Sequence, residues 1–312
     1  MRIAVTGGTG FIGRAVVATL AAAGHEVTVV ARTVAAVPGA TRVVTGDVAD
    51  RAIGAALGDA AAIVHLAALA DASRSAADPV GYTTVNALGT LNVLEAARQR
   101  GAGVVFASSQ RVYEPWHGPL SEDNSPIAPT TVYGWGKLAA EHWVAMYAQT
   151  YGVPTATLRL FSVYGPGQRM GGGVSGVVAI FGERALRGRD LAVHQRHLRD
   201  FVYIDDVAGA FLRAVERLGD PAVTGGVYNI GSGVGTGFDT LAELVRERSG
   251  MAGRLAIDGG GAAVGSERRE EVYATIDRAR QWLSWAPTVG LAEGVGRYLD
   301  WLRGELAREE VR

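Results

Sequence analysis

The first thirteen residues, MRIAVTGGTGFIG, restrict the fold of this chain more than any other stretch. The apolar residues 3–5 predict a short buried strand, and residues 14–23 predict an alanine-rich helix. Between them, Gly7, Gly10 and Gly13 allow a tight turn and a close approach of the backbone to a ligand. A helix that begins after such a turn offers free N–H groups and a partial positive charge. The arrangement predicts a loop that binds the pyrophosphate of a dinucleotide.

Apolar strands and helices alternate over the first half of the chain. Strands are predicted at residues 26–31, 41–45, 61–66, 104–109 and 155–160, and longer helices at 80–100 and 133–151. Strands that are apolar throughout are typical of a parallel sheet covered by helices on both faces. The pattern therefore predicts a doubly wound α/β fold of the Rossmann type, with its ligand at the carboxyl ends of the strands.

After about residue 165 the alternation becomes less regular. Helices are predicted at residues 174–187, 205–218, 239–249 and 292–308, and short strands at 201–204 and 227–230. We expect a dinucleotide-binding domain over residues 1–165, with a returning segment near 200–231, and a smaller mixed α/β substrate domain over 166–312.

Composition excludes several classes of protein. A net charge of −1 gives no indication of a nucleic-acid or membrane surface. The absence of cysteine excludes disulfides, thiolate nucleophiles and cysteine-bound metals. The first strand begins too early to leave room for a signal peptide, and the longest apolar run, residues 60–70, is too short to span a bilayer. These features predict a cytoplasmic protein.

Tyr133 and Lys137 lie four residues apart near the start of a predicted helix, so they share one face. A tyrosine has an ordinary pKa of about 10, and a nearby ammonium group would lower it. Such a tyrosine can exchange a proton with an alcohol or ketone oxygen near neutral pH. Ser109 ends a predicted strand at the ligand-binding edge, where its hydroxyl could hold the reacting oxygen.

Each of these features alone has an ordinary structural explanation. The Tyr-x-x-x-Lys spacing arises often by chance, and a serine after a strand is usually a cap or turn residue. Their joint occurrence downstream of a dinucleotide-type loop is the observation that favours a catalytic site.

At these residues the chain resembles the extended short-chain dehydrogenase/reductase family, which includes nucleotide-sugar epimerases, dehydratases and reductases. The matching stretches cover almost the whole chain: TGGTGFIG (6–13), GDVAD (46–50), VHLAA (64–68), VNALGTLNVLEAA (85–97), SSQRVYE (108–114), SEDNSPIAPTTVYGWGK (121–137), LRLFSVYGPGQ (158–168), RDFVYIDDVA (199–208) and YNIGSG (228–233).

The resemblance implies roles for residues at matching positions. Tyr133 would be the acid/base, Lys137 would bind the nicotinamide ribose, and Ser109 would bind the substrate oxygen. The candidate cofactor-binding residues are Gly7, Gly10, Phe11, Ile12, Gly13, Arg32, Asp47, Val48, Leu66, Ala67, Ala68, Asn86, Tyr133 and Lys137. The candidate substrate-binding residues are Ser109, Gln110, Arg111, Trp135, Ser162, Arg199 and Arg268.

Arg199 and Arg268 stand where the resemblance implies an arginine pair that grips a diphosphate, a task that suits rigid and permanently charged guanidinium groups. The alternative for Arg268 is a purely solvated charge cluster over residues 267–271. Trp135 either shapes the sugar pocket or packs against the second domain.

The end of the second strand departs from the pattern typical of NAD-binding members, which carry an acid there to bind the ribose 2′-hydroxyl. Here Ala31 is followed by Arg32, and Arg14 follows the last glycine of the loop. An arginine without the carboxylate favours a 2′-phosphate, so we expect NADP as the preferred cofactor, with NAD as the alternative.

A second departure bears on the reaction. Dehydratases of the family place Asp-Glu after the catalytic hydroxyl, whereas this chain has Gln110 and Arg111, and Ser162 replaces a common asparagine. The resemblance leaves four interpretations. The leading expectation is a nucleotide-sugar 4-ketoreductase that consumes NADPH, which Arg32 favours. The alternative is a 4-epimerase with tightly held NAD, which the general motif pattern favours, and a 4,6-dehydratase comes third. A non-catalytic dinucleotide sensor is disfavoured because Ser109, Tyr133 and Lys137 are all present.

Two further expectations concern assembly and metal. The resemblance implies a homodimer formed through the helices at residues 80–100 and 133–151. His194 and His197 could suggest a metal, but no suggestive carboxylates accompany them, so we expect a surface or substrate-rim role and no metal.

Overall fold

The computed structural model describes residues 1–115, 118–169, 176–193, 197–250, 253–257 and 271–310. Its strands are, in chain order, β1 (Arg2–Thr6), β2 (Glu26–Ala31), β3 (Arg42–Thr45), β4 (Ala62–His65), β5 (Gly103–Ser109), β6 (Pro119–Leu120), β7 (Thr155–Leu160), β8 (Ser162–Tyr164), β9 (Leu191–Val193), β10 (Leu198–Tyr203), β11 (Gly226–Ile230), β12 (Gly235–Gly237), β13 (Leu255–Ile257) and β14 (Glu271–Ala274). Its α-helices are α1 (Phe11–Ala22), α2 (Ile53–Leu57), α3 (Pro79–Thr83), α4 (Gly89–Arg100), α5 (Val132–Tyr151), α6 (Val177–Leu186), α7 (Ile204–Glu216), α8 (Phe238–Ser249), α9 (Asp277–Leu283) and α10 (Leu291–Glu310).

The larger sheet has seven strands in the order β11-β7-β5-β4-β1-β2-β3, and every pair is parallel. Every residue of β4, β5 and β7 is buried, as expected for central strands covered on both faces. The chain runs from β1 outward to β2 and β3, and then crosses back to β4 on the other side of β1. The crevice at this switch point is where a doubly wound sheet binds its ligand. The predicted Rossmann-type fold is confirmed.

Helices cover both faces of this sheet. One buried apolar cluster joins α1 and α7 to the sheet, and a second joins α2, α4 and α5 to its other face. The edge strand β11 comes from the second half of the chain and pairs with β7.

The smaller sheet is mixed. Its strand order is β12-β10-β14-β6, with β8 also paired to β10, and β10 runs antiparallel to β12 but parallel to β14. A third apolar cluster packs α6, α8 and α10 around β9 and β10. Since β6 comes from the first half of the chain and β11 from the second, the chain crosses between the two sheets more than once. The predicted smaller C-terminal domain with mixed structure is confirmed.

Residues predicted as one helix at 80–100 are divided in three. The Asp78 carboxylate caps α3 by accepting the Gly81 N–H at 2.9 Å. A π-helical segment over 84–88 then separates α3 from α4, which ends at Gly101 in the left-handed conformation. Such π segments are frequent at functional sites, and this one carries Asn86.

Within the described part of the chain, no helix combines the length and the apolar character needed to cross a membrane.

Candidate active site

The glycine loop joins β1 to α1 at the switch point. Gly7 has φ of +72°, and a Cβ there would lie 2.7 Å from the Ala67 nitrogen. A Cβ at Gly13 would overlap the Gly7 carbonyl oxygen. Gly10 caps α1 without any side-chain hydrogen bond, so backbone N–H groups are the donors at this helix start. The loop therefore fits the diphosphate of a dinucleotide, as predicted from the sequence. Phe11 and Ile12 are half-buried in the first turn of α1 and pack against the core of the smaller domain.

The end of β2 carries the residues that bear on the choice of dinucleotide. Ala31 is buried, and Arg32 follows it with an exposed side chain. Arg14 donates from Nε to the Thr9 carbonyl at 3.0 Å and from Nη1 to the Ala36 carbonyl at 3.1 Å. Arg14 is thus already engaged in joining the glycine loop to the segment after β2.

Asp47 and Val48, two of the predicted cofactor-binding residues, follow β3. Asp47 is exposed, and its Oδ1 accepts the Ala49 N–H at 2.9 Å. Val48 is buried, and its carbonyl accepts a hydrogen bond from Asn92 Nδ2 at 2.9 Å. These contacts fix the turn at the edge of the crevice.

Leu66, Ala67 and Ala68 follow β4 and are half-buried. The buried Asn86 side chain accepts the Leu69 N–H at 2.8 Å and donates to the Leu69 carbonyl at 3.0 Å. Asn86 was predicted to bind the cofactor. In the structure both polar atoms of its side chain hold the segment after β4, and a contact of Asn86 with the cofactor stays a prediction.

His65 is a site residue that the sequence analysis missed. Thr90 donates its hydroxyl proton to the Asn86 carbonyl at 2.8 Å, so Thr90 Oγ1 can only accept from His65 Nε2, at 3.0 Å. His65 Nδ1 must then accept from the Thr6 hydroxyl, at 2.7 Å. Burial, and secondarily the charge of Lys137, lowers the pKa of His65 to about 3. A neutral histidine on β4 thus connects β1 to the start of α4, and Thr90 continues the connection to the π segment.

Ser109, Tyr133 and Lys137 come together at the carboxyl end of β5. Thr131 caps α5 by accepting the Gly134 N–H at 3.1 Å, which places Tyr133 and Lys137 on its buried face. Lys137 Nζ donates to the Ala107 carbonyl at 2.7 Å and lies 6.0 Å from the centre of the Tyr133 ring. Ser109 is the last residue of β5. The structure brings together all three predicted catalytic residues.

The acidity of these groups differs from the simplest expectation. Burial raises the pKa of Tyr133, while a hydrogen bond from Ser109 and the charge of Arg111 oppose the shift. Burial lowers the pKa of Lys137 to about 8, and the nearby Glu141 partly offsets this. Lys137 was expected to lower the pKa of Tyr133, but in this structure burial of the phenol outweighs the effect of the surrounding charges.

A buried floor, made of Ser108, Tyr113, Glu141 and Arg159, lies directly under these residues. Arg159 donates to the Glu141 carboxylate from Nε at 3.0 Å and from Nη2 at 2.7 Å, and the Ser108 hydroxyl donates to the same carboxylate. The guanidinium lies 4.7 Å from the centre of the Tyr113 ring. Glu141 is four residues from Lys137 on the same helix face. This spacing was the available signal for Glu141, and the sequence analysis did not use it.

A cleft next to Ser109 is lined by residues that include Gln110, Arg111, Glu114, Thr130 and Arg199. We refer to it as the substrate cleft because it contains predicted substrate residues. Arg199 donates to the Leu198 carbonyl at 3.0 Å and lies 5.9 Å from the centre of the Phe238 ring. The adjacent Asp200 carboxylate accepts from Ser232, Gly233 and Ala274, which anchors β10 next to this arginine. The cleft therefore contains two predicted substrate arginines, Arg111 and Arg199.

The other predicted substrate residues lie elsewhere. Trp135 is 58% exposed. It lies two residues from both Tyr133 and Lys137, which corresponds to about 200° around a helix, so it is on the opposite face of α5. It therefore does not line the sugar pocket of its own chain, contrary to expectation. Ser162 is half-buried on β8, opposite Phe201 of β10. Arg268 lies outside the described residues.

Of the predicted histidine pair, His194 also lies outside the described residues, and the His197 ring packs edge-on against Phe238 at 6.1 Å. Over the described ranges there is no group of three or more His, Cys, Asp or Glu side chains that could hold a metal ion.

The sequence and the fold of this chain are similar to those of known proteins. The sequence matches the model of the NAD dependent epimerase/dehydratase family over residues 3–231. A UDP-glucose 4-epimerase of Mycolicibacterium smegmatis is 35% identical over 321 residues, covering 98% of this chain and 99% of that protein. The crystal structure of UDP-glucose 4-epimerase with UDP-glucose from Thermotoga maritima has a TM-score of 0.87 and 30% identity, covering 98% of this chain and 100% of that one. The structure of MoeE5 with UDP-glucuronic acid and NAD has a TM-score of 0.86 and 30% identity, with the same coverage.

Proposed function

The chain belongs to the NAD dependent epimerase/dehydratase family, and we propose that it is a UDP-sugar 4-epimerase that retains NAD through its turnover. The observation that carries the proposal is the convergence of Ser109, Tyr133 and Lys137 at the carboxyl edge of the sheet, next to the glycine loop. The relatives that cover the whole chain and act on, or bind, UDP-glucose and UDP-glucuronic acid support the choice of substrate class.

In this proposal the chain's own residues move the proton. Ser109 holds the C4 oxygen of the sugar, and Tyr133 takes the hydroxyl proton as general base and later returns it as general acid. Lys137, fixed by the Ala107 carbonyl at 2.7 Å, holds the nicotinamide ribose. When bound, the nicotinamide supplies the acceptor for the hydrogen at C4 and returns it. Between the two proton transfers the 4-keto sugar must present its other face, which inverts C4.

The epimerase now has better support than the ketoreductase favoured by the sequence alone. The ketoreductase rested on Arg32, a single exposed residue. Similarity over 98% of the chain to a UDP-glucose 4-epimerase favours the alternative. Elimination by a 4,6-dehydratase is disfavoured because Gln110 and Arg111 supply no carboxylate beside Ser109. The three converging catalytic side chains disfavour a sensor that only binds.

We propose NAD rather than NADP as the working cofactor. Two of the five N–H donors of Arg14 are engaged by the Thr9 and Ala36 carbonyls, which leaves Arg14 less able than the exposed Arg32 to bind a 2′-phosphate. The family match and the neighbouring structure that contains NAD support the same choice. In this arrangement residues 1–165 hold the dinucleotide, and Arg199 holds the diphosphate of the sugar nucleotide.

We also propose that the enzyme is a homodimer. Large apolar side chains are exposed on neighbouring helices: Val80 at 74%, Leu88 at 49%, Trp135 at 58% and Trp143 at 37%. A second copy of these helices would cover them. Light scattering should give twice the monomer mass of 32.6 kDa, and a single monomeric species at micromolar concentration would contradict the proposal.

The test is to measure the released cofactor and the reaction together. Purified protein should yield bound NAD and should interconvert the C4 epimers of UDP-glucose or UDP-glucuronate without consuming added nicotinamide. Tyr133→Phe should lose at least about 100-fold in kcat while its bound NAD is retained. Stoichiometric oxidation of NADPH on a 4-keto sugar nucleotide, without epimerisation, would establish the ketoreductase instead.

A further inference from the structure

Arg111 is held rigidly at the reacting end of the substrate cleft. It lies in a short 3-10 helix, Gln110–Val112, that follows β5, and its N–H donates to the Ser109 hydroxyl at 3.2 Å. A Cβ at Gly134 would overlap the Arg111 carbonyl oxygen, so glycine at this position allows α5 to approach the Arg111 backbone directly after Tyr133. The backbone of Arg111 is thus fixed against both Ser109 and the first turn of α5.

The Arg111 side chain is charged and has no partner. Its guanidinium is exposed and forms no hydrogen bond or ion pair with the residues that the structure describes. Its charge is nevertheless close enough to Tyr133 to lower the pKa of that phenol. The cation therefore faces the space in which the sugar reacts.

The neighbouring Gln110 points to the same conclusion. Its Oε1 is buried and has no hydrogen-bond partner within the described structure. A buried acceptor without a donor costs about 1–3 kcal/mol, so a water or a ligand hydroxyl is expected to supply one. Both residues after Ser109 thus line the cleft, and each has a polar group without a partner among the described residues.

We propose that Arg111 binds a carboxylate on the substrate sugar, so that the enzyme acts on UDP-uronic acids in preference to neutral UDP-hexoses. The inference rests on the proposed epimerase function and names the substrate class of the same site.

The argument for a carboxylate is one of charge balance. When a sugar covers the cleft it removes water from the guanidinium, and a neutral hexose would leave that cation desolvated and unpaired. A carboxylate restores a partner, and its two oxygens match the planar fork of an arginine. Glu114 is the sole carboxylate among the described cleft residues, and it forms no ion pair with Arg111. Arg199, on β10, remains for the diphosphate.

The test compares two substrates on the NAD-loaded full chain, with Arg111→Gln as the variant. Binding of UDP-glucuronate, UDP-glucose and UDP is measured by calorimetry, and C4 epimerisation of the two sugars is followed by chromatography. We expect the unmodified enzyme to bind UDP-glucuronate about 10- to 100-fold more tightly than UDP-glucose. Arg111→Gln should abolish this preference and leave the affinity for UDP unchanged.

Two further variants are controls. Arg111→Lys keeps the charge but loses the fork, and should retain only part of the preference. Arg246→Gln removes an exposed guanidinium on α8 that does not line the cleft, and should leave the preference intact. Circular dichroism checks that each variant is folded.

Three results would overturn the inference. The first is equal or tighter binding of UDP-glucose by the unmodified enzyme. The second is a loss of UDP affinity in Arg111→Gln, which would place Arg111 at the diphosphate. The third is an equal fall in turnover of both sugars at unchanged affinity, which would show that Arg111 acts through Tyr133 and does not bind a carboxylate. Selective binding of UDP-glucuronate without epimerisation would instead overturn the proposed function and leave the carboxylate site standing.

Discussion

The buried floor and the substrate cleft each contain an arginine, but the two are in opposite states. Arg159 in the floor is 6% exposed and is paired with Glu141 through Nε and Nη2. Arg111 in the cleft is exposed, and its charge has no partner within the described structure. The difference separates two tasks. The charge of the floor arginine is balanced by a carboxylate inside the protein, although its Nη1 has no hydrogen-bond partner within the described structure, whereas the charge of the cleft arginine is not balanced there. Substitutions in the floor should therefore reduce stability, and those in the cleft should reduce selectivity.

The largest effect is expected from Arg159→Ala. It leaves the Glu141 carboxylate buried without its cation, and breaking a buried pair in this way costs about 3–5 kcal/mol. The free energy of unfolding from urea denaturation measures the loss.

Two control variants test whether the loss of stability comes from the unpaired Glu141 carboxylate or from the removal of any arginine. Arg98→Ala removes a partner of Glu95 from an exposed pair at 2.7 Å, and should cost less than about 1 kcal/mol. The double variant Glu141→Leu, Arg159→Met replaces the buried pair with apolar side chains and should recover most of the stability. A loss below about 1 kcal/mol in Arg159→Ala would show that the floor is no more coupled than the surface.

Burial of His65 as a neutral group should make the stability of the protein sensitive to acid. The folded His65 pKa of about 3 lies below the ordinary value of 6.5, so the unfolded chain binds the proton first as the pH falls. Stability is therefore complete above pH 6.5 and declines towards pH 3, by about 2 kcal/mol at pH 5. His65→Gln removes this titration. Unfolding curves of the two proteins should diverge between pH 8 and 5, and parallel curves would show that His65 is not buried as a neutral group.

The pKa of Lys137 is lowered by burial like that of His65, but at a higher pH. Its folded pKa of about 8 lies below the ordinary value of 10.5, so burial of the charged form disfavours folding below pH 8. Lys137→Met should abolish turnover yet raise the free energy of unfolding at pH 7 by about 1–2 kcal/mol, after the lost bond to the Ala107 carbonyl is included. The gain should shrink as the pH rises from 8 to 10.5. A variant less stable than the parent at pH 7 would mean that Lys137 makes a net favourable contribution to the stability of the protein.

The parts of the site that were predicted from sequence depend on local patterns. The glycine loop is marked by its own turn residues, and the spacing of Tyr133 and Lys137 fixes a shared helix face whatever surrounds it. The central strands are recognisable because they are apolar throughout.

The parts that were missed depend on contacts between distant elements. Arg159 and Glu141 come from β7 and α5, and their pairing follows only from the packed fold. The His65 connections join three elements. The strand pairing of β6 with β14 involves only a few residues that are far apart in sequence, so no periodicity marks it. Trp135 was misassigned because helical rotation places it opposite Tyr133 despite its proximity in sequence.

Substitution of Arg32 should give the smallest effect. It tests whether exposure alone allows an arginine to select a ligand, because Arg32 is exposed but lies outside the substrate cleft. If NAD is the working cofactor, Arg32→Ala should change the Kd for NAD by less than about 2-fold, because no phosphate lies within its reach. The same variant should weaken NADP by about 10-fold, the value of one charge-assisted hydrogen bond to a phosphate. Arg51→Ala, an exposed arginine after β3, is the matched control and should change neither affinity. Fluorescence titration of the cofactor-free protein gives both constants. Tighter binding of NADP than NAD by the unmodified protein, lost in Arg32→Ala, would restore the NADP preference and show that an exposed arginine can select a ligand as strongly as one held in the cleft.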